Sequence, residues 1–306
     1  MKAIIEAYNL SKKYKDHLAL DQVNMTVHQG DVYGLIGRNG AGKTTLMKII
    51  NRQILASQGN LSIQGAPISQ KDTSQLRIGT LIEAPGFYPN LSAYDNLKLK
   101  CKLFGIQRKN YEEELLDLVN LLDAKDRKVG NYSLGMKQRL GLALALVGDP
   151  DILLLDEPTN GMDPQGIVEF RETILRLNQD RNITVMISSH ILGELYKFVN
   201  RIGIIHEGKL IKEVSKQALD IENQDHIRIM SQNIPKIISF MEEELGITDF
   251  KIVSDQEIFV YESLENPEKI CHGLIKANIL FDSFYLEQAS LEEYFMNLTG
   301  GGGLHA

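Results

Sequence analysis

A glycine-rich segment, residues 37–44, places the tightest limit on what this chain can fold into. Its sequence, Gly-Arg-Asn-Gly-Ala-Gly-Lys-Thr, fits the pattern of a phosphate-binding loop. Residues 32–36 before it predict a short buried strand, and residues 45–50 after it predict the first turns of a helix. In that context the glycines let backbone N–H groups and the helix N-terminus face one phosphate. We therefore expect an α/β fold that binds a nucleotide.

The residue types at the end of this loop suit a nucleoside triphosphate with its metal. The ammonium group of Lys43 can reach the β and γ phosphates, and the hydroxyl group of Thr44 can hold Mg²⁺. The candidate nucleotide-binding residues of the segment are Gly37, Arg38, Asn39, Gly40, Ala41, Gly42, Lys43, Thr44 and Thr45.

Composition excludes some classes of protein. The 306 residues carry a formal net charge of −7, which argues against a nucleic-acid-binding surface, so we expect no nucleic-acid partner. The two cysteines, Cys101 and Cys271, have no metal-like spacing, and reduced thiols in a cytosolic protein are expected. The start of the chain lacks the apolar core of a signal peptide, and the longest nearly apolar stretch, residues 140–148, is about half of what spans a bilayer. If a membrane is involved, another chain must cross it.

The chain around the loop predicts a strand-rich fold with an inserted helical part. Residues 3–10 and 18–27 alternate as antiparallel strands do, and Tyr14 lies between them. Tyr14 either stacks on an adenine ring or is a half-buried tyrosine at a strand end. Helices are predicted to start at Ser92, at Asn110 (ending near Leu122) and at Ser133, which gives a helical subdomain over about residues 84–150.

Two apolar runs, residues 152–156 and 183–188, predict buried parallel strands. Ligands of open α/β sheets bind at the carboxyl ends of the strands, so Asp156, Glu157 and His190 are expected beside the phosphate-binding loop. Asp156 suits support of Mg²⁺, and Glu157 suits orientation or deprotonation of an attacking water. His190 is expected to hold the γ-phosphate and to position Glu157 or the water.

The last third of the chain has a different character. Its periodicity predicts strands and helices in the order β-α-β-β-α-β, followed by a closing helix over residues 290–298. We therefore predict a nucleotide-binding domain over residues 1–215, a small ferredoxin-like domain over residues 216–299 and a flexible tail over residues 300–306.

Taken in order, these motifs resemble the ATP-binding subunits of ABC transporters over about residues 3–215. Residues 37–44 resemble the family's phosphate-binding loop, and Glu157 falls at its catalytic glutamate. His190 falls at the switch histidine, Tyr14 at the aromatic position that stacks on adenine, and Asp163 in the D-loop, which couples the two sites. The resemblance implies ATP and Mg²⁺ as ligands.

The sequence departs from the family pattern in two places. The family signature, usually Leu-Ser-Gly-Gly-Gln, is replaced around Ser133, Leu134, Gly135 and Met136, although Ser133 and Gly135 can still meet the γ-phosphate of a nucleotide on the opposite subunit. Glu83 stands where the family usually has a glutamine that touches Mg²⁺ and faces the membrane partner. A carboxylate can ligate Mg²⁺ but adds negative charge beside the phosphates. Both departures resemble subunits of the bacitracin-resistance and lantibiotic-immunity type.

The resemblance implies a P-loop NTPase fold of the ABC type, with a RecA-like core, an antiparallel β subdomain, an inserted helical subdomain and a small α+β C-terminal domain. It implies an ATPase that works as a homodimer and drives a separate membrane permease from the cytoplasmic face, while being soluble in isolation. Alternatives are an ABC-2-type export ATPase for lipid, polysaccharide or ions, and a soluble regulatory ATPase acting on ribosomes or DNA. Residues 83–96 are the expected permease-docking surface, although Phe87, Tyr88 and Leu91 could instead pack the helical subdomain.

Overall fold

A computed structural model of the chain describes residues 2–68, 77–83 and 86–299. Residues 84 and 85 of the predicted docking segment and the predicted tail over residues 300–306 lie outside the described residues. The chain divides into two compact units between Lys216 and Gln217.

The strands of the first unit are β1 (Ala3–Tyr14), β2 (His17–His28), β3 (Val32–Ile36), β4 (Gln58–Ile63), β5 (Ala66–Pro67), β6 (Ile78–Leu81), β7 (Ile152–Asp156), β8 (Thr184–Ser189), β9 (Arg201–His206) and β10 (Lys209–Ser215). Its helices are α1 (Lys43–Ile50), α2 (Ala93–Leu103), α3 (Tyr111–Leu118), α4 (Leu134–Leu146), α5 (Pro164–Arg181) and α6 (Leu192–Tyr196). The second unit contains α7 (Lys216–Glu222, which begins at the division), β11 (His226–Met230), α8 (Ile234–Leu245), β12 (Phe250–Ser254), β13 (Glu257–Val260), α9 (Pro267–Lys276), β14 (Ser283–Glu287) and α10 (Leu291–Leu298).

Two sheets build the described part of the first unit. One is antiparallel with the strand order β2-β1-β4-β5. The other has the order β10-β9-β3-β8-β7-β6, in which β10 runs antiparallel to β9 and the other neighbours are parallel. Every residue of β3, β7 and β8 is buried, as the continuous apolar runs of these strands predict. The apolar residues of α1 pack in one core with the inward-facing residues of β1 and β2.

Helices α2, α3 and α4 pack on one another and form the predicted helical insertion. Ser92 and Ser133 are N-caps as predicted, because each side chain accepts a hydrogen bond from the backbone N–H three residues further on. Helix α3 begins after Asn110 as predicted, although Asn110 has a left-handed backbone and makes no capping bond with its side chain. The predicted end of this helix was wrong, because the helix ends at Leu118 rather than near Leu122. A left-handed residue, Asn120, turns the chain there.

The second unit has the predicted order β-α-β-β-α-β and the closing helix α10. Its four described strands form an antiparallel sheet in the order β12-β13-β11-β14. Ile227 and Ile229 of β11 are buried in a core with the apolar residues of α8 and α9, whereas the alternate residues of the strand face the other side. The amphipathic pattern of these elements therefore accounts for a two-layer arrangement with helices on one face.

The two cysteines are free thiols, as expected for a reduced protein. Burial raises the pKa of the Cys101 thiol to about 11, so this group is neutral at physiological pH. Cys101 lies in α2 and behaves as a small apolar side chain.

Candidate functional site

The phosphate-binding loop connects β3 to α1, and two of its glycines are required by the packing. Gly42 precedes the first residue of α1 with a φ angle of +112°, and a Cβ atom there would lie 2.7 Å from the carbonyl oxygen of Ala19. A Cβ atom at Gly37 would lie 2.4 Å from the carbonyl oxygen of Ile205. Because no side chain fits at either position, the loop curls tightly and leaves the first N–H groups of α1 available to an anion.

Lys43 is the buried cation of the loop. Its Nζ atom donates hydrogen bonds to the carbonyl oxygens of Gly37 at 2.7 Å and Arg38 at 3.3 Å. The same atom lies 3.1 Å from Oε1 of Glu157. The ammonium group therefore sits inside the loop and faces the carboxylate that follows β7.

Asp156 ends β7 and is held by hydroxyl groups from two other elements. Its Oδ2 atom accepts a hydrogen bond from Oγ1 of Thr44 at 2.6 Å, and its Oδ1 atom accepts one from Oγ of Ser188 at 2.6 Å. Ser188 was not predicted as a site residue. The signal for it is the parallel pairing of Asp156 with Ser188 between β7 and β8.

The oxygen atoms of Thr44 and Asp156 fit a magnesium ion that arrives with a nucleotide. Mg²⁺ in such sites takes one or two protein oxygens, and phosphate and water oxygens complete its shell. Within the described residues, no group of three or more His, Cys, Asp or Glu side chains could hold a metal ion. The oxygen atoms of Thr44 and Asp156 therefore suit a Mg²⁺ ion whose other ligands are phosphate and water oxygens, rather than an ion held by protein side chains alone.

Glu157 lies between a cation and an imidazole. Its Oε2 atom is 2.7 Å from Nδ1 of His190, while Oε1 faces Lys43. The backbone of Glu157 is left-handed, with a φ angle of +48°, and its N–H donates to Oγ of Ser188 at 2.9 Å. This conformation turns the chain directly after Asp156, so two adjacent carboxylates take different partners.

Lys43, Thr44 and Glu157 line one cavity of about 310 Å³, whereas the predicted site residues Gly37, Arg38, Ala41, Asp156 and His190 are not among its lining residues. The lining includes the loop residues Asn39, Gly40, Gly42, Lys43, Thr44 and Thr45 together with Glu157, Tyr14, His17 and Ala19. Tyr14 ends β1 with 43% of its surface exposed, and Nζ of Lys12 lies 5.0 Å from the centre of its ring. His17, which pairs with Tyr14 across the hairpin, was not predicted. An aromatic face and a cationic loop therefore line the same cavity.

The predicted signature residues are not among those that line this cavity in the described part of the chain. Ser133 caps α4, with its Oγ atom accepting from the N–H of Met136 at 3.3 Å. Leu134 packs so closely on the loop between β7 and α5 that a Cβ atom at Gly161 would lie 2.5 Å from Cδ2 of Leu134. Asp163 caps α5 by accepting from the N–H of Gly166 at 3.2 Å. The segment that begins α4 and the loop before α5 thus form one surface of their own.

Glu83 follows β6 by two residues and has a left-handed backbone, with a φ angle of +63°. Its Oε1 atom forms an ion pair with Nζ of Lys48 on α1. Sequence reasoning singled out Glu83 but missed Lys48, because nothing in the sequence aligns α1 with the end of β6.

Comparison with known proteins identifies the family. The family model described as ABC transporter matches residues 20–160. The chain is 41% identical over 303 residues to the bacitracin transport ATP-binding protein BcrA of Bacillus licheniformis, and the match covers 99% of both chains. It is 44% identical over 210 residues to the lantibiotic transport ATP-binding protein SrtF of Streptococcus pyogenes, which covers 69% of this chain and 90% of that protein. The chain therefore belongs to the ATP-binding proteins of ABC transporters.

Solved structures with a similar fold are also ATP-binding cassettes or subunits of ABC transporters. An ATP-binding subunit of an ABC transporter superposes with a TM-score of 0.63 at 26% identity, covering 72% of this chain and 92% of that chain. A dimeric post-hydrolysis state of an ATP-binding cassette, bound to ADP and Pi, matches with a TM-score of 0.63 at 24% identity over 70% of this chain and 99% of that one. The predicted P-loop ABC ATPase fold is confirmed.

Membership of this family implies ATP binding and ATPase activity coupled to transport, and Mg²⁺ is typical of such enzymes. ABC ATPase cassettes work as dimers with separate membrane permease subunits. Among the residues that the structure describes, no helix is both long enough and apolar enough to span a bilayer.

Proposed function

We propose that this chain hydrolyses ATP to ADP and phosphate and thereby drives a separate permease that exports a peptide antibiotic of the bacitracin or lantibiotic type. The observation that carries the ATPase part is that Lys43, Thr44 and Glu157 line one cavity, while Asp156 contacts Thr44 and His190 contacts Glu157. A cation, a base with its orienting partner and a metal-supporting pair are the parts that phosphoryl transfer to water requires.

Each side chain has a defined task in this proposal. Lys43 binds the β and γ phosphates, for which its carbonyl partners already place the ammonium group inside the loop. Glu157 accepts a proton from the attacking water or orients it, and His190 holds Glu157 through the 2.7 Å contact. Thr44 and Asp156 hold Mg²⁺, which when bound neutralises charge on the phosphate oxygens. Tyr14 stacks on the adenine ring at the other side of the cavity.

We further propose that a second copy of the chain completes the site. The N-terminus of α4 carries Ser133 and Gly135 on a surface away from the cavity of its own chain. Leu134, the first residue of that helix, is 50% exposed. A helix N-terminus stabilises a negative charge, so that of one copy suits the γ-phosphate held by the other. Asp163, next to this surface, would couple the two sites.

The permease would dock on residues 83–96 at the cytoplasmic face of the membrane. Asn96, whose side chain is buried, accepts from the N–H of Tyr88 at 2.7 Å and donates to the carbonyl oxygens of Tyr88 at 3.1 Å and Ser92 at 2.8 Å. These bonds fix the loop while the Tyr88 side chain stays 59% exposed and Leu91 36% exposed. A rigid loop with apolar side chains in solvent suits a protein partner.

The substrate class rests on the relatives, two of which are named for bacitracin and lantibiotic transport. The departures at Glu83 and around Ser133 point to the same branch. The test is to purify the chain with the membrane protein that it binds and to measure ATPase activity with bacitracin, a lantibiotic or no peptide. We expect peptide-stimulated hydrolysis and loss of peptide tolerance on gene deletion. Unchanged tolerance, together with stimulation by a lipid or polysaccharide instead, would establish the ABC-2-type alternative.

A further inference from the structure

Three carboxylates follow the ends of the neighbouring strands β6 and β7, and one of them, Glu157, lines the cavity of the proposed ATP site. Strands β6 and β7 are parallel, and Leu81 pairs with Leu155. Glu83 and Glu157 therefore stand at equivalent positions, two residues beyond this pair, with Asp156 between Leu155 and Glu157. Like charges at the ends of adjacent strands repel one another and would also repel a triphosphate.

Each of the three carboxylates has a different kind of partner. Asp156 accepts hydrogen bonds from two hydroxyl groups, which add no charge. Glu157 faces Lys43 and His190. Glu83 pairs with Lys48. The ammonium group of Lys43 therefore pairs with Glu157, and that of Lys48 pairs with Glu83 and neutralises its charge.

Lys48 is placed so that it can act on the nucleotide site through Glu83. It lies on α1 four residues after Thr44, which is one helical turn further along. Its side chain is 26% exposed and that of Glu83 is 63% exposed. Glu83 also has the unfavourable left-handed backbone, which persists only where its surroundings hold it. The ion pair to a rigid helix is one such restraint.

We propose that Lys48 is a positioning residue of the ATP site, which neutralises Glu83 and holds its carboxylate against α1, so that an acid can occupy this position beside the phosphates. The inference rests on the proposed ATPase function. Without Lys48 the free carboxylate of Glu83 repels the nucleotide. Without both charges the repulsion disappears, so the effect of removing Lys48 depends on whether Glu83 is present.

The test is a double-mutant cycle on the full-length protein, in which a fluorescent ATP analogue reports the dissociation constant, once with EDTA and once with Mg²⁺. We expect Lys48→Met to weaken binding about fivefold at low ionic strength, as for one uncompensated charge near a polyphosphate, and less at high salt. Glu83→Gln should bind more tightly than wild type, because it removes a negative charge and leaves the ammonium group of Lys48 to attract the phosphates. The double variant should return to within about twofold of wild type, and Lys48→Arg should retain binding.

Lys125→Met is the matched control, because Lys125 also pairs with a glutamate, Glu113, which lies on α3 of the helical insertion rather than beyond the end of β6. Thermal unfolding of each variant by circular dichroism separates lost affinity from lost structure. Equal weakening in Lys48→Met and in the double variant, or no weakening in Lys48→Met, would overturn the proposal. Failure of the wild-type protein to bind the analogue would instead refute the ATPase function itself.

Discussion

Two sheets of this chain carry opposite charges in close contact, and the charges of one of them lie beside the proposed ATP site. In the first unit, Lys43 and Glu157 face each other beyond the carboxyl ends of β3 and β7. In the second unit, Arg228 on β11 pairs with Glu257 on β13, and its Nη1 atom lies 3.8 Å from Oε2 of Glu287 on β14. In both places a basic side chain pairs with glutamate, lysine in the first unit and arginine in the second.

The difference lies in where along the strands the charges stand. Arg228 lies inside β11, Glu257 begins β13 and Glu287 ends β14, and all three residues are themselves paired in the sheet, so each charge meets a neighbour in the same sheet. Lys43 and Glu157 lie where the pairing has ended and are brought together from distant parts of the sequence beside a cavity of about 310 Å³. A charged side chain within a sheet is neutralised by an oppositely charged side chain on a neighbouring strand. A charged side chain beyond a strand end stays accessible to a ligand.

The substitution Glu157→Gln should have the largest effect on the ATPase rate constant and so show most clearly that the charge pairs of the two sheets differ in role. The amide keeps the shape of the side chain but cannot accept the proton of the attacking water, so we expect the ATPase rate constant to fall about 100-fold or more. ATP affinity should be retained or increased, because the phosphates lose a negative neighbour. The measurement is phosphate release at saturating ATP, with nucleotide affinity and ATP-dependent dimerisation measured in parallel.

The matched control for this experiment is Glu257→Gln in the second unit. It removes the same charge from a glutamate that is also paired, yet it should leave the rate constant unchanged. Hydrolysis close to the wild-type rate in Glu157→Gln would contradict the role of Glu157, and an equal fall in both variants would remove the distinction between the two sheets.

A smaller effect is expected from Tyr14→Ala at the other side of the cavity. Loss of the ring should weaken ATP binding about five- to tenfold, which corresponds to ~1 kcal/mol of stacking. Tyr14→Phe keeps the ring and should bind as wild type does. The comparison of ATP with inorganic triphosphate decides the assignment, because only the nucleotide contains a base. A Tyr14→Ala variant that weakens both ligands equally would contradict adenine stacking.

Sequence patterns could predict those parts of the fold that local chemistry specifies. The phosphate-binding loop, the apolar runs of β7 and β8 and the caps Ser92 and Ser133 each depend on residues close together in the chain. Helix α6 was not predicted, because its five residues are too few to show a helical period. Similarly, α7 has seven residues and follows β10 directly.

Contacts between distant segments could not be read from the same patterns. Ser188 as a partner of Asp156, and Lys48 as a partner of Glu83, could be identified only from the strand register and the path of α1. The packing of Leu134 on Gly161 is a further example, because it brings the start of α4 against the loop between β7 and α5. The types of ligand could therefore be predicted from sequence motifs. The residues that pair with each charged side chain could be identified only from the fold.

The smallest effect should come from Arg228→Met in the second unit, and it should be on stability alone. The substitution leaves Glu257, whose side chain is 17% exposed, without its cation, and we expect the free energy of unfolding to fall by about 1 kcal/mol. Denaturant unfolding measures this loss, and the ATPase rate constant should stay unchanged. Adding Glu257→Gln removes the unpaired charge and should recover part of the stability. If Arg228→Met instead lowered the ATPase rate constant while leaving stability intact, the charges of the second sheet would act on the ATP site and the contrast between the two sheets would fail.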